Sequence, residues 1–182
     1  PDITGGDFWL VDPLDGTKEF VRGTGEFTVN IALMQNFKPV FGVIYTPVKD
    51  ELYSGYEGGR ADLTIGGERR EIQCRDVPDA GLTVVASRSH SNLEALSTFL
   101  EGRPVADTVF RGSSLKFCQV ASGRADIYPR LAPTCEWDIA AGHAIVRAAG
   151  GQVRELDGGE MSYGKTDVNF LNPSFIVQKS QD

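Results

Sequence analysis

The sequence is short of histidine and cysteine, and it has no long apolar run. Histidine occurs twice, as His90 and His143, too few for a histidine-rich metal centre. Cysteine occurs three times, as Cys74, Cys118 and Cys135, with no C-x-x-C spacing. An odd count argues against a disulfide scaffold or a structural zinc site and fits a reducing compartment. The expected location is the cytoplasm, with peripheral attachment to a bacterial inner membrane as the alternative. No apolar stretch approaches the roughly 20 residues that cross a bilayer, and no signal-peptide pattern is expected at the start. Cationic side chains are outnumbered too, 18 Lys and Arg against 25 Asp and Glu, for a formal net charge of −7. That balance disfavours a nucleic-acid polymer as partner. An anionic small molecule would need a bound cation as mediator.

Apolar residues make up 41% of the 182 and charged residues 24%, so the chain can build a core and is not of disordered composition. There are no internal repeats or low-complexity tracts. The first residue is Pro1, and a strand-like "DFWLVD" follows almost at once. The expectation is the C-terminal portion of something longer.

The first part is strand-rich. Residues 7–12 read as a strand ending at an Asp-Pro turn, and "TVNIALM" and "VFGVIYTPV" as two strands joined through "QNFKP". "ELYSGYE" and "REIQCR" continue a meander to residue 75. After Asp79 the pattern alternates: strand 82–87, helix 91–101 with Ser91 and Glu94 in capping-box spacing, strand 105–110, helix 113–122, strand 125–130. Residues 138–149 form an amphipathic helix with Ile139, His143, Val146 and Ala149 on one stripe, stopped by Gly150-Gly151. "FIVQ" closes the chain as a strand. Antiparallel β followed by α/β implies a strand-rich subdomain over 1–78 and an α/β subdomain over 79–182, with a site between them.

Two motifs carry chemistry. In "DPLDGT", Pro13 holds Asp12 extended and the chain then turns, so Asp12, Asp15 and the Leu14 carbonyl can converge as hard oxygen ligands for Mg²⁺. Gly16 and Thr17 could open a short helix with N–H groups facing an anion. On its own the stretch also reads as a turn with Asp15 as an N-cap. In "EWDIAAG", Asp138 stands at a helix start, where a carboxylate is favoured and an N-cap is the plainer reading. Ala140, Ala141 and Gly142 would let a backbone or a ligand approach closely.

Together the motifs resemble the inositol monophosphatase family of Mg²⁺-dependent, lithium-sensitive phosphatases. "WLVDPLDGTKEF", "GEFTVNIAL", "SRSH", "GSSLKFC", "YPR" and "WDIAAGHAI" are most similar to its CysQ-type 3′(2′),5′-bisphosphate nucleotidase branch. The resemblance implies the layered α+β sandwich of the sugar phosphatases. It also implies roles. Asp12 and the Leu14 carbonyl would bind one Mg²⁺, and Asp12, Asp15 and Asp138 a second, with two or three ions in all. Gly16 and Thr17 would hold the scissile phosphate through backbone N–H groups, and the Thr17 hydroxyl would orient the attacking water. His90, Ser113, Lys116 and Arg130 would line the nucleotide pocket. Their other readings are a loop histidine, a helix cap for Ser113 and a solvated helix charge for Lys116. His143 is read as packing only.

The implied reaction is hydrolysis of the 3′-phosphate of adenosine 3′,5′-bisphosphate to AMP and phosphate in sulfate assimilation, with the sulfated precursor of that nucleotide as a further substrate. Alternatives are an inositol-phosphate or sugar-phosphate phosphatase and a non-catalytic nucleotide-binding protein. The last is motivated by one departure. The family also uses a glutamate from a Glu-Glu motif upstream of the Asp-Pro turn, and "PDITGGDFWLV" contains none.

Overall fold

The computed structural model describes residue 3, residues 5–88 and residues 93–180. In chain order the first elements are β1 (Phe8–Asp15), α1 (Thr17–Val21), β2 (Thr28–Gln35), β3 (Lys38–Thr46), β4 (Glu51–Tyr56), β5 (Ala61–Ile65) and β6 (Glu68–Ile72). The six strands form one antiparallel meander in sequence order. Side chains alternate along it. Thr28, Asn30, Ala32 and Met34 of β2 are buried, with Val29, Ile31 and Leu33 less covered on the other face. The β2–β3 hairpin turns through Asn36 and Phe37, both at positive φ (50° and 60°), the tight twist that a two-residue hairpin needs.

The second part contains β7 (Leu82–Ser87), α2 (Leu93–Leu100), β8 (Val105–Arg111), α3 (Leu115–Ala121), β9 (Ile127–Arg130), β10 (Thr134–Cys135), α4 (Glu136–Ala148), β11 (Gly151–Glu155), a 3₁₀ turn at Thr166–Val168, β12 (Leu171–Asn172) and β13 (Phe175–Lys179). Five of the strands form a mixed sheet in the order β11-β13-β9-β7-β8. β7 runs parallel to β8 and β9, and β13 antiparallel to β9 and β11. β10 and β12 make a separate two-stranded ladder.

The helices α3 and α4 lie between the sheets. α4 packs on β1–β5 and also touches β11 and α3. On the second sheet Phe117 of α3 meets Tyr128 and Phe175, with ring centroids 5.5 and 5.9 Å away. The opposite face, Val84, Ala86 and Ile127, takes Leu96 of α2. This middle position changes the reading of α4. The sequence stripe predicts a helix with one wet side, whereas Ile139 through Val146 are all buried because a sheet covers one side and α3 and β11 the other. Small residues make the fit. A β-carbon built on Gly42 would stand 2.3 Å from the Ala141 carbonyl oxygen, and one on Gly142 2.3 Å from Cγ of Phe117. The small "AAG" turn therefore admits protein rather than ligand.

The connection between the sheets is pinned by Asp126. Its carboxylate accepts from Arg75 Nε (2.7 Å) and Nη2 (2.9 Å) and from the Thr83 N–H (2.6 Å). Burial alone would raise this carboxyl, but the guanidinium and the amide together hold it below its usual range. No helix among the described residues is long and apolar enough to cross a membrane.

Candidate active site

Asp12 and Asp15 are three residues apart on β1, and in a regular strand such side chains point to opposite faces. The pairing shows why they do not here. Asp12 stands opposite Asn30 and Asp15 opposite Thr28, so three steps on β1 match two on β2. The extra residue is a bulge, which turns both carboxylates to one side. The strand thus runs through Pro13 instead of ending there. Proline is tolerated because β1 is an edge strand and the bulge interrupts its ladder. The Leu14 N–H donates to Asp12 Oδ1 at 3.0 Å, fixing that side chain locally.

Asp138 arrives from α4. The helix begins at Glu136 with Cys135 as N-cap, so Asp138 is its third residue and its Oδ2 accepts the Cys135 N–H at 2.8 Å. Asp15 is no cap either; α1 is entered through Gly16, whose left-handed backbone (φ 88°) favours glycine. One carboxylate oxygen each of Asp12, Asp15 and Asp138 lies within 4.8 Å of the other two. Burial pushes the Asp138 carboxyl up to about 6, helped by the charges of Asp15 and Asp12. Burial also raises Asp12, and Asp15 adds to it. A cation among the three would relieve both effects. Hard oxygen donors crowded in this way fit Mg²⁺. Each carboxylate has one oxygen committed to protein donors, which leaves one per residue for an ion.

The turn through Gly16 into α1 lines the same cavity as Asp15 and Asp138. Thr17 opens α1, and its hydroxyl donates to the Leu14 carbonyl at 3.4 Å. The first N–H groups of a helix have no partner within it. A cavity of about 410 Å³ is lined by Asp15, Gly16, Thr17 and Asp138 together with Ser113, Lys116 and Arg130. Lys116 is not a solvated helix charge. It is 5% exposed, its Nζ donates to the Ser113 carbonyl, and it lies 5.5 Å from the Tyr128 ring centre. Burial lowers it to about 8, against the pull of Asp15, with Arg130 lowering it further. Arg130 is braced by the carbonyls of Ala132 (3.0 Å) and Pro133 (3.1 Å). Ser113 does not cap α3. Its backbone has φ 45°, and its Oγ is buried without a hydrogen-bond partner. His90 lies outside the described residues.

A sequence model of the inositol monophosphatase family matches residues 3–180. The chain belongs to the inositol monophosphatase family. Within it, the 3′(2′),5′-bisphosphate nucleotidase CysQ of Escherichia coli K12 is 49% identical over 170 residues, covering 93% of this chain and 67% of that protein. The crystal structure of CysQ from Bacteroides thetaiotaomicron superposes with a TM-score of 0.87 at 44% identity, over 97% of this chain and 71% of that one. The inositol monophosphatase of Anabaena sp. PCC 7120 gives a TM-score of 0.77 at 27% identity, over 96% of this chain and 68% of that one. The chain spans about two thirds of the length of these relatives.

The layered α+β architecture is that of the family. Several residues around the family's two motifs escaped the sequence reading. Glu19, 5% exposed, lines the same cavity from α1. Ser114 and Asn30 hold Asp15. Glu136 is fully buried, and its carboxylate accepts the N–H groups of Gly164 (2.8 Å) and Lys165 (2.9 Å), tying the 160–172 segment to the start of α4. The doubled serine of "GSSLKFC" was the available signal for Ser114. Glu136 reads from sequence only as an acidic first-turn residue.

Proposed function

We propose that the chain is an Mg²⁺-dependent 3′(2′),5′-bisphosphate nucleotidase that converts adenosine 3′,5′-bisphosphate and water to AMP and inorganic phosphate. The observation that carries this reading is one cavity lined both by Asp15 and Asp138 of the carboxylate cluster and by the cations Lys116 and Arg130. A monophosphate would need only the carboxylate-held cation. A bisphosphate gives the two cations a partner as well. The 49% identity to a protein named for this activity supports the same reading.

Asp12, Asp15, Asp138 and the Leu14 carbonyl would hold Mg²⁺, two or three ions in all, with the lithium sensitivity of the family. When bound, the metal supplies charge neutralisation and a lowered water pKa. The chain's own groups do the rest. The Gly16 and Thr17 amides hold the scissile phosphate and the Thr17 hydroxyl orients the attacking water. Water adds to phosphorus in line with the departing 3′-oxygen, which leaves as the ribose hydroxyl. Lys116 and Arg130 grip the retained 5′-phosphate. Ser113 Oγ hydrogen-bonds a ribose or phosphate oxygen, and His90 takes the base side. Residues 1–78 supply the metal-binding turn, and residues 79–182 the nucleotide wall and Asp138. The role is turnover of nucleotide by-products of sulfate assimilation in the cytoplasm, with the sulfated precursor as a further substrate.

Initial rates of phosphate release by the full-length protein test this. Adenosine 3′,5′-bisphosphate is expected to exceed AMP and inositol 1-phosphate in kcat/KM, with no release in EDTA. Preference for inositol phosphate would move the chain to the sibling activity, and absence of any Mg²⁺-dependent turnover would leave a binding protein.

A further inference from the structure

Ser114 occupies the N-cap position of α3 yet makes no cap hydrogen bond. A serine there ordinarily turns its hydroxyl onto the helix's own amides. Here the hydroxyl is 2% exposed and points elsewhere. Its Oγ lies 2.7 Å from Asp15 Oδ2, 2.8 Å from the Asp138 carbonyl oxygen and 2.8 Å from Asn30 Nδ2. Asn30 can only donate through that nitrogen, so it takes one lone pair of the hydroxyl and leaves the single proton for Asp15 or for Asp138. Asn30 is itself 1% exposed, and its Oδ1 has no partner. The amide has given up an acceptor bond while its nitrogen stays on Ser114 and, at 3.3 Å, on Asp15.

Asp15 belongs to the edge of the first sheet and Asp138 to the helix layer. Ser114 touches both, and it directly follows Ser113 in the chain. We infer that Ser114 is a positioning residue for the metal site: its hydroxyl, aimed by Asn30, fixes the Asp15 carboxylate against the first turn of α4 and so sets the spacing of two carboxylates that share an ion. This rests on the metal-site reading above. Groups that orient metal ligands govern affinity strongly, because unheld ligands must give up conformational freedom when the ion arrives.

The test uses the full-length protein with Mn²⁺ as the probe, its binding read by electron paramagnetic resonance. Ser114→Ala is expected to weaken Mn²⁺ binding by roughly ten- to a hundredfold. The Mg²⁺ concentration for half-maximal phosphate release should rise in parallel, with KM for the nucleotide at saturating Mg²⁺ unchanged. Ser114→Thr, which keeps the hydroxyl, is expected to bind Mn²⁺ nearly as tightly as the unsubstituted protein. Asn30→Ala should fall between them and gives a second route if a Ser114 variant does not fold. Unchanged Mn²⁺ affinity in Ser114→Ala or in Asn30→Ala overturns the positioning role. Equal losses in Ser114→Ala and Ser114→Thr overturn it as well, since packing would then be the cause. If the unsubstituted protein binds no Mn²⁺, the metal-site reading falls and the positioning role with it.

Discussion

Gly42 of β3 lies directly against Ala141 of α4, so close that no side chain fits between them. The contact seats the helix that carries Asp138 on the sheet that carries Asp12 and Asp15. Gly42→Ala is therefore expected to lift α4. The overpacking should cost about 1–3 kcal/mol or more, seen as a lowered midpoint in urea, and the Mg²⁺ requirement of turnover should rise with it. A midpoint and Mg²⁺ requirement equal to those of the unsubstituted protein would show that the sheet can yield at this point.

Asp138→Asn separates metal binding from folding. The amide can still accept the Cys135 N–H, while the repulsion among three half-buried carboxylates is reduced. Without metal at pH 7 the variant should melt no lower than the unsubstituted protein. Added Mg²⁺ should raise the melting temperature of the unsubstituted protein only, and phosphate release should be abolished in the variant. A Mg²⁺-dependent shift that survives the substitution would remove Asp138 from the site.

Lys116 gives a proton signature. Its ammonium is buried and lowered to about 8, so at pH 8.5 much of it is neutral. A phosphate arriving beside it favours the charged form, and binding should then take up a proton. Calorimetry at pH 8.5 in buffers of different ionisation enthalpy should detect this uptake, and Lys116→Ala should lose it. The same variant should raise KM for the bisphosphate roughly tenfold or more, with a smaller effect on a monophosphate. Equal effects on the two would place Lys116 away from the second phosphate.

His143 predicts acid sensitivity. It is buried, its Nδ1 lies 2.8 Å from the Tyr163 hydroxyl, and burial lowers it to about 3, with Arg147 adding to the effect. The unfolded chain protonates it below about 6.5. Its contribution to stability is therefore complete above 6.5 and is lost progressively as pH falls toward 3. His143→Phe should flatten the urea-denaturation profile between pH 6 and 4 by about 1.4 kcal/mol per pH unit. An unchanged slope would mean that the imidazole is charged in the folded protein.

The order of the major strands and helices was legible because apolar alternation and the glycine stops mark them. Less was legible where the determinant is not local. β5, "ADLTI", alternates apolar and polar residues but is only five residues long and lies between the glycine turns "GGR" and "GGE", and its Asp62 is buried against that alternation. β11 begins at the glycine that reads as a helix stop. The two Asp motifs name the carboxylates but not the bulge that turns Asp12 and Asp15 to the same side, because the bulge exists only in the pairing with β2. Lys116 illustrates the same limit: it is buried with its Nζ over the Tyr128 ring, a contact between residues on separate elements.

The dispersed origin of the triad has a topological consequence. Asp15 and Asp138 are separated by most of the chain, and the segment between them passes through both sheets. An ion shared by the two carboxylates closes that whole path into a ring, as a cross-link would, and the closure is reversible. The unfolded chain loses the entropy of a very long loop whenever the ion stays bound. The metal centre proposed above would in this sense also be a removable rivet through the layers of the protein.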